Sequence, residues 1–162
     1  MKKFIYLMSV ALMAMMSFTL TSCGGDDDDN VLNTTTTENL KAVHKIKVIV
    51  SGQTNLFKWS AHFRGMVWNG SQAEVAKIYD EKGNVIEYLE NFSQVSAQTD
   101  KNGTLMAAAI LITDFDENNT GEMTIQLEGW IDGKMTNSKT IKIKAGEQKA
   151  HTVSFSTVPL ND

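Results

Sequence analysis

The chain has 162 residues, of which 15 are Lys or Arg, 19 are Asp or Glu and one is Cys, so its formal net charge is −4. This balance provides no basic surface of the kind that attracts nucleic acid, so we expect no nucleic-acid partner. A single cysteine also excludes an intramolecular disulfide.

The N-terminal segment has the pattern of a secretory signal peptide over residues 1–22. Lys2 and Lys3 precede an uncharged run from Phe4 to Leu20. A membrane-spanning helix is the alternative, but the run is slightly short for one, contains hydroxyl side chains and lacks a basic stop-transfer patch. We therefore predict that these residues direct export.

The cysteine lies immediately behind this run. Leu20-Thr21-Ser22-Cys23 resembles the lipobox of bacterial lipoproteins, in which an aliphatic residue and two small residues precede a cysteine. The resemblance implies that the Cys23 thiol receives a diacylglycerol, that the signal is cut before Cys23, and that the new amine is acylated. Because one acyl chain holds a protein only marginally at a membrane, the additional chains would make the anchor stable. An ordinary cysteine is the alternative.

Four consecutive aspartates follow. Gly24-Gly25-Asp26-Asp27-Asp28-Asp29 resembles the acidic export signal of surface lipoproteins in Bacteroidetes-type bacteria, which implies display on the outer leaflet of the outer membrane. A solvated acidic spacer, on a protein that faces the periplasm, is the alternative. Residues 23–39, with the lipidated Cys23, the acidic run and a Thr-rich piece, are predicted to form a tether. Without the signal, 13 basic residues face 19 acidic ones, and omission of the four aspartates leaves a net charge of −2.

Residues 40–162 have the pattern of one β-rich domain. Residues 56–65 place Phe57, Trp59, Ala61 and Phe63 on one face and polar residues on the other, which is typical of a half-buried antiparallel strand. Similar strand-like segments, separated by turn residues, occupy 44–52, 77–88, 99–113, 122–134 and 139–157. About seven to eight strands at this spacing predict a single antiparallel β-sandwich, immunoglobulin-like or related.

One stretch has a second interpretation. Ser71 and Glu74 match a capping box, and Gly83 would suit the C-terminal end of a helix. A short helix over residues 72–81 is therefore the alternative to a strand.

The sequence contains no recognisable catalytic motif. His44, His62 and His151 lack metal-ligand spacing, and lipidation would consume the thiol of Cys23. Residues 114–122 resemble a calcium loop only faintly, because Asn119 and Ile125 stand where an EF-hand requires Gly and Glu. We interpret this segment as a polar turn, and we expect no enzyme activity, metal or cofactor.

The three tryptophans have different environments in the pattern. Trp59 lies on the apolar face of its strand and is predicted to be in the core. Trp68 falls in a predicted loop, and Trp130 shares the polar parity of its strand. An exposed aromatic ring stacks on a sugar or anchors a partner protein, so Trp68 and Trp130 are the candidate ligand-binding residues. The alternative is that each tryptophan ring packs against the sheet that carries it and is not available to a ligand.

Residues 105–112 are apolar at both odd and even positions. A sandwich strand normally keeps one face in water, so this strand requires a cover on both faces. Either a loop of this chain packs over Ala107 and Ala109, or something outside the domain does.

These patterns lead to three functional hypotheses. The first is a non-catalytic cell-surface lipoprotein that binds a glycan or a partner protein at the outer membrane. The second is a structural subunit of a surface assembly or adhesin. The third is a periplasm-facing lipoprotein with hydrolase activity. In each of them Cys23 attaches the chain to the membrane.

Overall fold

The computed structural model describes residues 41–114 and 116–158. The predicted signal peptide, the lipidation site at Cys23, the acidic run Asp26–Asp29 and the tether lie outside the described residues. Within the described ranges, no helix is long and apolar enough to cross a membrane.

Ten β-strands form two antiparallel sheets, which confirms the all-β sandwich predicted from the sequence. The strands are β1 His44–Gly52, β2 Lys58–Trp68, β3 Ala73–Ala76, β4 Ile78–Asp80, β5 Tyr88–Glu90, β6 Gln94–Thr99, β7 Leu105–Thr113, β8 Glu122–Ile131, β9 Lys134–Lys144 and β10 Ala150–Ser156. The first sheet has the order β4-β6-β1-β8-β9. In the second sheet, β10, β7 and β2 follow one another, and both β3 and β5 pair with the free edge of β2.

The core lies between the inner faces of the two sheets. Alternate residues of β1 and β8 point inward from the first sheet, and alternate residues of β2 and β7 point inward from the second. The largest fully buried apolar side chains are Phe63, Ile46, Met106, Ile110, Ile112, Met123, Ile125 and Leu127. Trp59 is 9% exposed, and its indole Nε1 donates a hydrogen bond to the Phe92 carbonyl oxygen at 3.1 Å. The predicted core role of Trp59 is confirmed.

A tight turn joins β8 to β9. Asp132 and Gly133 both have positive φ, at 48° and 77°, which is the requirement of the two-residue turns that connect antiparallel strands. The register of this hairpin shifts between Gly129 and Trp130. A Cβ on Gly129 would lie 2.1 Å from Asn137 Oδ1, so glycine permits the close approach at this bulge.

The predicted strand number of seven to eight was too low, and the alternative helix over residues 72–81 is wrong. That region forms β3 and β4. Ser71 and Glu74 do not form a capping box, because both side chains bind Asn69 instead. Ser71 Oγ donates to Asn69 Oδ1 at 3.1 Å, and Asn69 Nδ2 donates to Glu74 Oε1 at 2.6 Å. The chain then extends, and Val75 pairs with Met66 of β2.

The predicted segment 77–88 contains β4 and the first residue of β5, but the sequence analysis predicted no strand over β3 or over most of β6. β3 and β5 lie in the second sheet, whereas β4 between them pairs with β6 in the first. The turn within residues 77–88 is present, with Gly83 N donating to the Asp80 carbonyl oxygen at 3.0 Å. Its two arms pair at a single bridge between Tyr79 and Val85. The chain thus passes from the second sheet to the first at β4 and returns at β5, which pairs with β2.

Candidate functional site

The outer face of the second sheet is apolar along β7. Met106, Ala108 and the isoleucines of β7 point into the core, so Leu105, Ala107, Ala109 and Leu111 point outward. Ala109 is 2% exposed, and the other three outward residues are half-buried. No strand of the described residues stacks on this face.

Strand β2 lies beside β7 and contributes a second row of side chains to the same face. In register, His62 pairs with Ala109, and Met66 pairs with Leu105. On the other edge of β2, His62 pairs with Tyr88 of β5, and Met66 pairs with Val75 of β3. Tyr88 is 45% exposed and Val75 is 76% exposed.

Four side chains form a polar and aromatic cluster, which we call the β2–β5 strip: His62, Arg64, Glu87 and Tyr88. The ring centroids of His62 and Tyr88 are 4.6 Å apart, and the ring planes are inclined by 52°. Arg64 Nη1 lies 3.4 Å from Glu87 Oε2, and these side chains are 50% and 66% exposed. The strip therefore presents an aromatic pair beside an exposed ion pair.

The strip carries no net charge. Burial lowers the pKa of His62 below its ordinary value of 6.5, Arg64 acts in the same direction, and Glu90 partly opposes both. At neutral pH the imidazole is therefore uncharged, with one donor and one acceptor nitrogen. Strands β2 and β5 and the residue before β5 contribute Lys58 and Arg64 and also Glu87 and Glu90, which are two charges of each sign.

Trp68 is the last residue of β2 and not a loop residue as the sequence indicated. It is half-buried and pairs with Ala73 of β3. Its parity places it on the same outer face as Met66, at the end of the strand away from His62. Trp68 therefore lies at the rim of the apolar face.

Trp130 lies on the outer face of the first sheet, on the polar parity that the sequence indicated. It pairs with Lys45 of β1, and the Lys45 ammonium is 5.8 Å from the centroid of the indole ring. The indole Nε1 is buried and has no hydrogen-bond partner in the structure. Lys45 therefore lies over one face of the Trp130 ring, and both tryptophans are half-buried. The two tryptophans do not share a site.

The connection between β7 and β8, described at residues 114 and 116–121, is held by hydrogen bonds to Asp114. This residue is 4% exposed, and its carboxylate accepts hydrogen bonds from the backbone N of Gly146 and from Asn119 Nδ2. The Asp116 carboxylate accepts a hydrogen bond from the backbone N of Asn118 at 2.9 Å. Among the described residues, no group of three or more His, Cys, Asp or Glu side chains could hold a metal ion.

The histidines occupy three different strands. His44 of β1 is 2% exposed, and its Nδ1 lies 2.7 Å from the hydroxyl of Thr157. His151 belongs to the edge strand β10, and His62 belongs to the β2–β5 strip.

Sequence reasoning did not identify the strip. Alternation in residues 56–65 placed His62 and Arg64 together on the polar face, which is correct. Their partners come from β5, and Glu87 is 23 residues further along the chain than Arg64. The available signal was the β-like segment that ends at Tyr88, but its partner strand could not be inferred from spacing.

The fold and this surface define a class of protein: a two-sheet antiparallel β-sandwich whose second sheet carries both apolar and polar side chains on its outer face. Among solved structures, the chain is similar to a DUF4425 domain of unknown function from Bacteroides vulgatus, with 27% identity and a TM-score of 0.64 over 74% of this chain and 97% of that one. It is also similar to a DUF4425 family protein from Bacteroides ovatus, with 28% identity and a TM-score of 0.65 over 75% of this chain and 99% of that one.

A third solved structure is more distant. The calcium-bound form of a protein from Parabacteroides distasonis has 17% identity and a TM-score of 0.54 over 81% of this chain and 99% of that one. At this identity the likeness shows the fold alone. No family model matches the chain, and no curated protein matches it.

Proposed function

We propose that this chain is a non-catalytic lipoprotein, anchored at the outer membrane through Cys23, that binds a glycan or a partner protein at the cell surface. The observation that carries the binding function is the outer face of the second sheet. A sheet face in contact with water is normally polar, whereas this one combines outward Leu105 and Leu111 with the exposed side chains of Val75 and Tyr88. Leu105, Met66 and Val75 are neighbours in register across three strands, and exposed apolar patches mark interaction sites.

The lipobox at Cys23 and the acidic run Asp26–Asp29 support the anchored part of the proposal. Similar solved structures come from Bacteroides species, in agreement with the Bacteroidetes-type pattern that these residues resemble.

The alternative, a structural subunit joined through sheet edges, is less well supported. The longest exposed edge is β9, which pairs only with β8. It carries four exposed lysines: Lys134, Lys139, Lys142 and Lys144. Lysines on an edge strand oppose the addition of a second strand of the same chain.

Surface display is tested by protease treatment of intact cells. Replacement of Asp26, Asp27, Asp28 and Asp29 together by alanine should leave lipidation intact and retain the protein inside, where protease reaches it only after lysis. Replacement of the same four residues by glutamate is the matched control, since it keeps the charge and should preserve digestion on intact cells. Equal digestion of the alanine variant would show that the run is only a spacer. Protection of the wild-type chain on intact cells would contradict display itself.

A further inference from the structure

The β2–β5 strip contains the two kinds of group that recognise a sugar. The Tyr88 ring is 45% exposed and offers an apolar surface on which the C–H face of a pyranose stacks. The Arg64 guanidinium supplies planar paired donors, and the Glu87 carboxylate supplies acceptors. Neighbouring hydroxyl groups on a sugar ring present the complementary acceptors and donors.

These groups lie at a suitable separation. His62 and Arg64 alternate on one face of β2 and are therefore about 7 Å apart along the strand. Tyr88 is in register with His62, and Glu87 binds Arg64. One pyranose ring with its hydroxyl groups covers a comparable distance, so the ring pair and the ion pair can contact the same sugar.

The charge of the surface selects the kind of glycan. Along β2 and β5, Lys58 and Arg64 are balanced by Glu87 and Glu90. A polyanionic chain would meet as many carboxylates as cations, whereas an uncharged chain meets no repulsion. The surface is complementary to a neutral ligand.

We propose that the β2–β5 strip binds a neutral glycan, with one sugar ring over Tyr88 and His62 and its hydroxyls hydrogen-bonded to Arg64 and Glu87. This assignment rests on the proposed function, in which the chain binds a ligand at the cell surface. The exposed Arg64–Glu87 pair supplies both donors and acceptors for the hydroxyl groups of a sugar, and binding of a protein instead is one of the outcomes that the test distinguishes.

The test uses the full-length chain in detergent on an array of neutral and acidic glycans, followed by calorimetry with the neutral glycan bound best. Tyr88→Ala should weaken binding by about two- to tenfold through loss of the stacking surface. Arg64→Gln should weaken it by about tenfold or more through loss of charged hydrogen bonds. Tyr88→Phe keeps the ring and should retain most of the affinity.

Met135→Ala is the matched control for Tyr88→Ala. Met135 is 46% exposed, close to the 45% of Tyr88, but lies on β9 in the other sheet. This variant should bind as the wild type does. Thermal melts of Tyr88→Ala and Tyr88→Phe separate lost binding from lost folding, because only a folding defect lowers the melting temperature.

Different failures have different meanings. Unchanged glycan binding in both Tyr88→Ala and Arg64→Gln, with weaker binding in Trp68→Ala, would overturn the strip and leave the proposed function standing. Preference for acidic glycans would overturn the neutral assignment. If the wild-type chain bound no glycan but cross-linked to a surface protein on intact cells, the glycan proposal would be overturned and the protein-binding form retained.

Discussion

His62 shows how one residue can connect the core to the surface. Its backbone belongs to the strand that carries Phe63 into the core, while its ring lies against Tyr88 on the outer face. Burial disfavours the imidazolium, and the neighbouring Arg64 disfavours it further, so the pKa of His62 falls below 6.5 despite Glu90. Protonation of His62 therefore opposes the folded state.

This shift predicts a pH dependence of stability. Because the folded pKa is lower than the unfolded one, the unfolded chain binds more protons as the pH falls below 6.5. The contribution of His62 is present above that value and is lost as the pH falls toward the folded pKa. Urea midpoints at about pH 7.5 and about pH 5 should therefore differ more in the wild type than in His62→Gln.

The other titrating groups that face His62 remain in this variant: Arg64, Tyr88 and Glu90. His44 and His151 also remain, so their own pH dependence is common to both proteins. If His62→Gln lost stability over the same pH range by the same amount as the wild type, the pKa of His62 would not be lowered in the folded state.

At the scale of elements, strand β2 contributes residues both to the core and to the candidate site. One face contributes Trp59, Ala61 and Phe63 to the core, and the other contributes His62 and Arg64 to the strip. The two faces should respond differently to truncation.

Phe63→Ala should lower the free energy of unfolding by about 3–5 kcal/mol, as expected for a large buried aromatic side chain, since Phe63 is 0% exposed. Arg64→Ala, on the adjacent residue and the opposite face, is the control. Its exposed ion pair with Glu87 should contribute at most about 1 kcal/mol. Urea unfolding measures both, and a neutral effect of Phe63→Ala would mean that the core lies on the other face.

The same strand shows what could be predicted from the sequence. Strict alternation over 56–65 was sufficient to assign the two faces of β2, because a strand has a period of two residues. Three-residue strands such as β4 and β5 have too few positions to show that period. The sheet to which each short strand belongs depends on which longer strand has an unpaired edge beside it. The pairing of Tyr88 in β5 with His62 in β2 could therefore not be predicted before the fold was known. The sequence of residues 72–81 was compatible with either a helix or a strand. The hydrogen bonds of Ser71 and Glu74 to Asn69, which exclude the capping box, are visible only in the fold.

At the scale of the whole molecule, the described chain begins at one end of the open face. The backbone N of Ala42 donates a hydrogen bond to the carbonyl oxygen of Gly103 at 2.8 Å, two residues before β7 starts. The strip lies further along, where His62 pairs with Ala109. Leu105 and Ala109 are four positions apart, about 13 Å along a strand. The candidate site is therefore displaced from the bridge between Ala42 and Gly103, near the start of the described residues.

Attachment of the chain to a membrane is the last requirement of the proposed function. If Cys23 is the acylated residue, Cys23→Ala should abolish both acylation and cleavage by the lipoprotein route, and the protein should leave the membrane fraction. Each buried CH₂ of an acyl chain contributes about 0.8 kcal/mol to membrane binding, so several chains together give a lasting anchor. Ser22→Ala exchanges one small residue for another at the neighbouring position and should leave processing unchanged. Mass spectrometry of the mature N-terminus distinguishes these outcomes. An unmodified Cys23 in the wild-type protein, or cleavage at another position, would refute the anchor, and the open face of the sandwich would then have to bind its ligand without attachment at this cysteine.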